Sequence, residues 1–200
     1  MTTNIHDSID KKVAEVKSVW ENLNSFPTKK LAGIVEKFFS TFSSGNRIAF
    51  IGNGGSAAES THLAAEFSGK CIIDHKPLPV MSLNESQSSI TAIGNDYGFD
   101  HIFSRQVQAH LRKGDLLIAL STSGQSKNIL EALDMATKMN VEAMLWMGDF
   151  EVSIPKVQIF KVPSKSTPRI QEVHLAWGHI IAEIIESNMD KISDPIVDYK

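Results

Sequence analysis

The chain has 200 residues, 42% of them apolar, with 20 basic and 23 acidic side chains and a formal charge of -3, which suits one domain with a sizeable core and offers no basic block for nucleic acid. No apolar run approaches the roughly 18 residues that cross a bilayer, and Met1 to Asp7 lack the basic-then-apolar order of an export signal, so a soluble, cytoplasmic protein without membrane contact is expected. Cys71, the single cysteine, cannot form an internal disulfide, which fits a reducing compartment, and it reads as a packing residue rather than a nucleophile.

Ile9, Val13, Val16, Val19, Trp20 and Leu23 recur at steps of three and four residues, the spacing of an amphipathic helix. A second helix sets Leu31, Ile34, Val35, Phe38, Phe39 and Phe42 on one side and ends at residues 43–46. So broad an aromatic face predicts burial against other helices, of this chain or of another subunit. Past Gly45 the pattern changes: apolar runs at 48–51, 79–83, 116–120, 141–147 and 157–162 alternate with helical segments, as in a parallel α/β sheet. Arg169 to Asn188 form a closing helix, with Ile170, Val173, Trp177, Ile180, Ile181, Ile184 and Ile185 as its apolar positions. The expected organisation is a single domain with a helical extension over 1–45, an α/β core over 46–189 and a loosely held polar tail over 190–200.

Two strand ends draw attention. The run Ile48 to Ile51 leads into Gly52, Asn53, Gly54, Gly55 and Ser56, and Ala57 to Glu59 then open a helix. Glycines permit close backbone approach, and the first-turn N–H groups with the helix dipole favour an anion. Taken alone, this loop is equally a plain turn. It does not match the Gly-x-Gly-x-x-Gly dinucleotide pattern, and no acidic residue ends a second strand roughly 20 residues later. The second loop is more telling, since Leu116 to Leu120 run into Ser121, Thr122, Ser123, Gly124, Gln125 and Ser126. Ser126 as N-cap and Ser121 or Ser123 as turn formers account for some of these hydroxyls, but capping needs one and four are present. Hydroxyls and helix N-terminal amides hold a phosphate without lysine or arginine. Both loops lie beyond carboxyl ends of strands, where ligands of open α/β sheets sit. Ile93 to Asp96 are expected to join them as a third strand-end region, although Gly94 or Asn95 would equally cap a helix.

His62 and Glu66 are four residues apart, on one helix face and about 6 Å apart along the axis, where they can hold a divalent metal or share proton transfer; as a bare spacing they are equally an exposed pair. Gln171 and His179 are separated by eight residues, about 12 Å, so both reach one metal only if they lean together along the axis. Gly178 removes bulk beside His179, His174 reads as a packing or interface histidine, and Arg169 with Glu172 as a surface pair.

The combination of residues 52–56, His62 to Glu66, Gly94 to Asp96, the 121–126 loop and Arg169 to Glu172 with His179 resembles the sedoheptulose 7-phosphate isomerases of the sugar isomerase (SIS) fold over nearly the whole chain. The resemblance implies a three-layer α-β-α sandwich around a mainly parallel five-stranded sheet, with the N-terminal helices packing in a homotetramer whose sites lie at subunit interfaces. It also implies aldose-ketose interconversion of sedoheptulose 7-phosphate and D-glycero-D-manno-heptose 7-phosphate, at the entry to heptose synthesis for surface glycans. By matching, Asn53, Gly54, Gly55, Ser56, Asn95, Asp96, Ser121, Thr122, Ser123, Ser126 and Gln171 bind substrate, and His62, Glu66, Gln171 and His179 bind one zinc ion per subunit. Glu66 is then expected to move the carbon-bound proton and His179 the oxygen-bound one. Two positions depart from the pattern: Thr167 and Pro168 precede Arg169 where some members carry aspartate, and Lys70 replaces an arginine, losing its bidentate phosphate geometry. The rival readings are a non-catalytic member of the fold, such as the initiator-associating protein of bacterial replication, and an amino-sugar-processing or sugar-phosphate-sensing one. The pair Glu66 and His179 argues against the former, which has no use for an acid and a base.

Overall fold

A computed structural model describes residues 4–23 and 28–192. The elements run α1 (Ile5–Leu23), α2 (Thr28–Ser43), β1 (Ile48–Gly52), α3 (Gly55–Ser68), β2 (Val80–Ser82), α4 (Gln87–Tyr97), α5 (Ser104–His110), β3 (Leu116–Leu120), α6 (Lys127–Lys138), β4 (Glu142–Met147), β5 (Val157–Lys161) and α7 (Thr167–Glu186). The five strands form one sheet in the order β2-β1-β3-β4-β5, every neighbouring pair parallel. Strand alternation divides the core into two layers. Ile48, Phe50, Leu116, Ile118, Leu120, Met144 and Trp146 face α2, α3 and α7, whereas Ala49, Ile51, Leu117, Ala119, Ala143, Leu145 and Met147 face α5 and α6. The continuous burial of β1 and β3 is what an apolar run without alternation foretells.

The aromatic face of α2 finds its cover inside the chain: Phe38 packs on Phe42 at 6.0 Å and on Phe67 of α3 at 5.3 Å. The uncovered helix is α1, where Ile5, Ile9, Val13 and Trp20 stand exposed and Val19 is buried. The expected third strand-end loop is corrected. Asn95 and Asp96 belong to α4, whose helix runs through Gly94 to Tyr97 before Gly98 (φ 90°) stops it, since glycine in a helix interior is tolerated at modest cost. In the proposed tail, Met189–Lys191 form a 3-10 turn, and residues 193–200 lie outside the described residues.

The Glu186 carboxylate at the end of α7 accepts the N–H groups of Cys71, Ile72 and Ile73 at 2.5, 2.9 and 3.0 Å, tying the segment after α3 to α7. The Cys71 thiol is pushed up to about 12 by burial and by neighbouring Glu66, so it stays protonated and unreactive, as a packing residue should.

His174 is fully buried, between Trp146 and Trp177, and neither ring nitrogen has a hydrogen-bond partner. Burial holds its pKa down to about 3. A depressed histidine pKa means the unfolded chain binds the proton first, so stability falls as pH drops below about 6.5, by roughly 1.4 kcal/mol per unit, until about 3. Urea unfolding of wild type and His174→Leu from pH 7 to 4 tests this: the stability difference should move in favour of the variant as pH falls, and parallel curves would contradict it.

Candidate active site

The first loop is shaped by what its glycines exclude. A Cβ on Gly52 would lie 2.4 Å from the Ser56 carbonyl oxygen, and one on Gly55 2.3 Å from the Gln171 amide nitrogen; Gly54 has φ 56°. Ser56 and Ala57 N–H donate back to the Asn53 and Gly54 carbonyls as α3 begins at Gly55. In the second loop, Ser121 and Ser123 act as turn formers, their hydroxyl oxygens accepting Gly124 and Gln125 N–H at 3.2 Å. Ser126 occupies the N-cap position of α6, yet its side chain makes no cap bond, which leaves its hydroxyl to a ligand.

Helices α3 and α7 pack side by side and parallel on the same sheet face. Gly178 lets them meet, since a Cβ there would fall 2.1 Å from Leu63 Cδ2. This contact brings together residues far apart in sequence: His62 Nε2 lies 2.9 Å from His179 Nε2 and 3.3 Å from Glu66 Oε1. The three side chains converge within 4.8 Å and are partly open to solvent. Two imidazoles and a carboxylate with an open side are the donor set of a catalytic divalent metal site, so the residues fit an ion. Gln171 sits two turns earlier on α7, its amide nitrogen 3.5 Å from Ser56 Oγ, on the glycine loop. Arg169 and Glu172 form the expected helix-surface pair at 2.6 Å, and Thr167 with Pro168 make the first turn of α7. Lys70 is exposed just past α3. Asn95 and Asp96 are also exposed, bonded to one another at 2.7 Å and not to either loop.

Gly178→Ala should therefore separate the helices, lowering stability by about 1–3 kcal/mol and weakening divalent-metal binding; melting curves with and without metal measure both, and an unchanged metal-induced shift would contradict the packing argument.

Three polar residues escaped the sequence reading. Asn84 and Asn128 bond the glycine loop from either side. Glu59, one turn beyond Ser56, is buried; burial raises its pKa to about 7 against the opposing Ser56 hydrogen bond. Its signal was positional: Ser56, Glu59, Leu63 and Phe67 fall at the spacing of one buried helix face.

Glycine- and hydroxyl-rich loops stand at the ends of parallel strands with a metal-type triad between two helices, and residues 13–144 match the SIS domain family model, so the chain belongs to that family of sugar isomerase domains. Within it the chain belongs with the phosphoheptose isomerases. It is 46% identical over 157 residues to the phosphoheptose isomerase of Rhodospirillum rubrum, covering 78% of this chain and 82% of the relative. Identity to that of Aneurinibacillus thermoaerophilus is 43% over 155 residues, 76% and 78% of the two chains. The solved phosphoheptose isomerase of Neisseria gonorrhoeae superposes with a TM-score of 0.85 at 32% identity, over 92% of this chain and all of the other.

Proposed function

We propose that this chain interconverts sedoheptulose 7-phosphate and D-glycero-D-manno-heptose 7-phosphate in the cytoplasm, supplying heptose for surface glycans. The observation that carries the reading is the convergence of His62, Glu66 and His179 on helices that begin at, or lean on, the glycine loop. His62 lies about 10 Å along α3 from Gly55, so the site is elongated, as an open-chain sugar phosphate requires. Gly54, Gly55, Ser56, Thr122, Ser123 and Ser126 present amides and hydroxyls to the phosphate and sugar oxygens, with Ser121 shaping the second loop.

In the ketose-to-aldose direction, the Glu66 carboxylate removes a proton from C1, forming the enediol, and returns it to C2. His179 moves the proton from the C1 hydroxyl to the developing C2 hydroxyl, so bonds and protons balance. His62, Glu66 and His179 would hold a zinc ion, with Gln171 completing the set by turning from Ser56 along α7. When bound, zinc supplies Lewis-acid polarisation of the substrate oxygens. The uncovered apolar stripe of α1 supports a homotetramer, and the exposed placement of Asn95 and Asp96 supports their binding substrate at a subunit interface. The non-catalytic reading is not favoured, because the acid and base are both present and face each other.

Offering the purified protein heptulose, hexulose and N-acetylhexosamine phosphates in parallel tests substrate class. Turnover of the heptulose phosphate above the others is expected; preference for the amino sugar would replace this reading with another member of the fold.

A further inference from the structure

Asn53 matches a substrate-binding position of the family, but its side-chain amide is already paired within the chain through both its nitrogen and its oxygen. Asn53 Nδ2 donates to Asn128 Oδ1 at 2.8 Å, and Asn128 Nδ2 donates back to Asn53 Oδ1 at 2.9 Å. Asn128 is 3% exposed, in the first turn of α6 directly after the serine loop. On the other side of the glycine loop, Gly52 N–H donates to Asn84 Oδ1 at 3.1 Å and Asn84 Nδ2 donates to the Gly52 carbonyl at 2.8 Å. Asn84 thus continues the β2 edge by two bonds beyond the last backbone pairing, which ends at Phe50 and Ser82.

We infer that Asn128 and Asn84 are positioning residues: two reciprocal amide pairs fix the glycine loop against the serine loop and β2, and Asn53 serves substrate through its backbone rather than its side chain. The physical reason is the geometry of an anion site built from main-chain N–H groups. Such groups bind only where several aim at one point, and a loop containing Gly52, Gly54 and Gly55 has too much backbone freedom to hold that aim unaided. Each side-chain amide spans a gap that backbone pairing leaves open. Because Asn53 lies in the glycine loop and Asn128, 75 residues away, in the helix turn that directly follows the serine loop, their pairing also sets the distance between the two anion-binding ends. The inference rests on the two loops binding a sugar phosphate, but not on which sugar.

Inorganic phosphate is the probe that separates these matters, since it needs no turnover. Its dissociation constant is measured by calorimetry on the full chain for wild type, Asn53→Ala, Asn128→Ala and the double variant, with thermal melts as the folding control. Loss of two part-buried neutral hydrogen bonds predicts about tenfold weaker phosphate binding in either single variant, and the double variant should be no weaker than the singles because both remove one interaction. Asn84→Ala, which breaks the other pair, should weaken phosphate independently and so add to Asn128→Ala. In heptulose turnover, Asn128→Ala should raise KM by a similar factor with kcat within about twofold, a split that general destabilisation does not produce. Additive effects of Asn53→Ala and Asn128→Ala, or phosphate binding unchanged in folded Asn128→Ala, would overturn the inference. Should wild type bind phosphate but fail to turn over the heptulose, the phosphate cycle still decides the clasp while the isomerase reading falls.

Discussion

Glu66→Gln is expected to lower kcat for sedoheptulose 7-phosphate by about 10²- to 10⁴-fold, the range that general-base catalysis supplies, while the variant melts as a folded protein. The amide keeps the size of the carboxylate and one oxygen at the place where Glu66 Oε1 meets His62, but it has no basic lone pair able to accept a proton from carbon. Glu66 is half-buried beside the open face of the triad, so the substitution leaves no large buried charge unpaired and should disturb packing little. Running the wild-type reaction in deuterium oxide adds an independent view of the same group: solvent deuterium should appear at the C2 carbon of the aldose, and Glu66→Gln should abolish that wash-in together with turnover. Normal turnover by the glutamine variant would remove Glu66 from the chemistry.

His179→Ala is expected to be equally damaging and in a second way. The imidazole lies 2.9 Å from His62 Nε2, so its removal deletes both the proposed proton carrier for the hydroxyls and one of three converging donors. Turnover should fall by about 10²- to 10⁴-fold, and divalent-metal affinity should fall as well, whereas inorganic phosphate should bind as before, because the loops that hold it lie at the other end of the helices. A variant that loses phosphate affinity in proportion to activity would instead mean that His179 supports the fold of the site. The neighbouring Gly178 shows why such a loss is separable: the close approach of the two helices runs through Leu63 and the glycine, and the histidine ring adds only its contact with the exposed His62.

The sheet was legible because its central strands are buried on both faces, which leaves apolar runs such as Leu116 to Leu120 without alternation. The two anion loops were legible for a related reason: glycines and hydroxyls crowd the strand ends, where no packing role explains their number. His62 and Glu66 could be joined by helical spacing alone, but their meeting with His179 was not readable from spacing, since it depends on the contact of Gly178 with Leu63 between two helices 115 residues apart; there the family resemblance carried the expectation. The same limit hid Asn128 and Asn84, whose partners lie 75 and 32 residues away. The strand-end placement of Asn95 and Asp96 failed because the segment continues as the last turn of α4 until Gly98 adopts a positive φ. The aromatic side of α2 found the helices it called for within its own chain, while the less conspicuous stripe of α1 was left bare.

The most direct test of the central claim is to incubate the zinc-supplied wild-type protein with sedoheptulose 7-phosphate and follow appearance of the aldose heptose 7-phosphate. Formation of the aldose, lost in Glu66→Gln and His179→Ala, is the predicted result. Absence of turnover by folded wild type would contradict the assignment and favour a member of the fold that binds sugar phosphates without converting them.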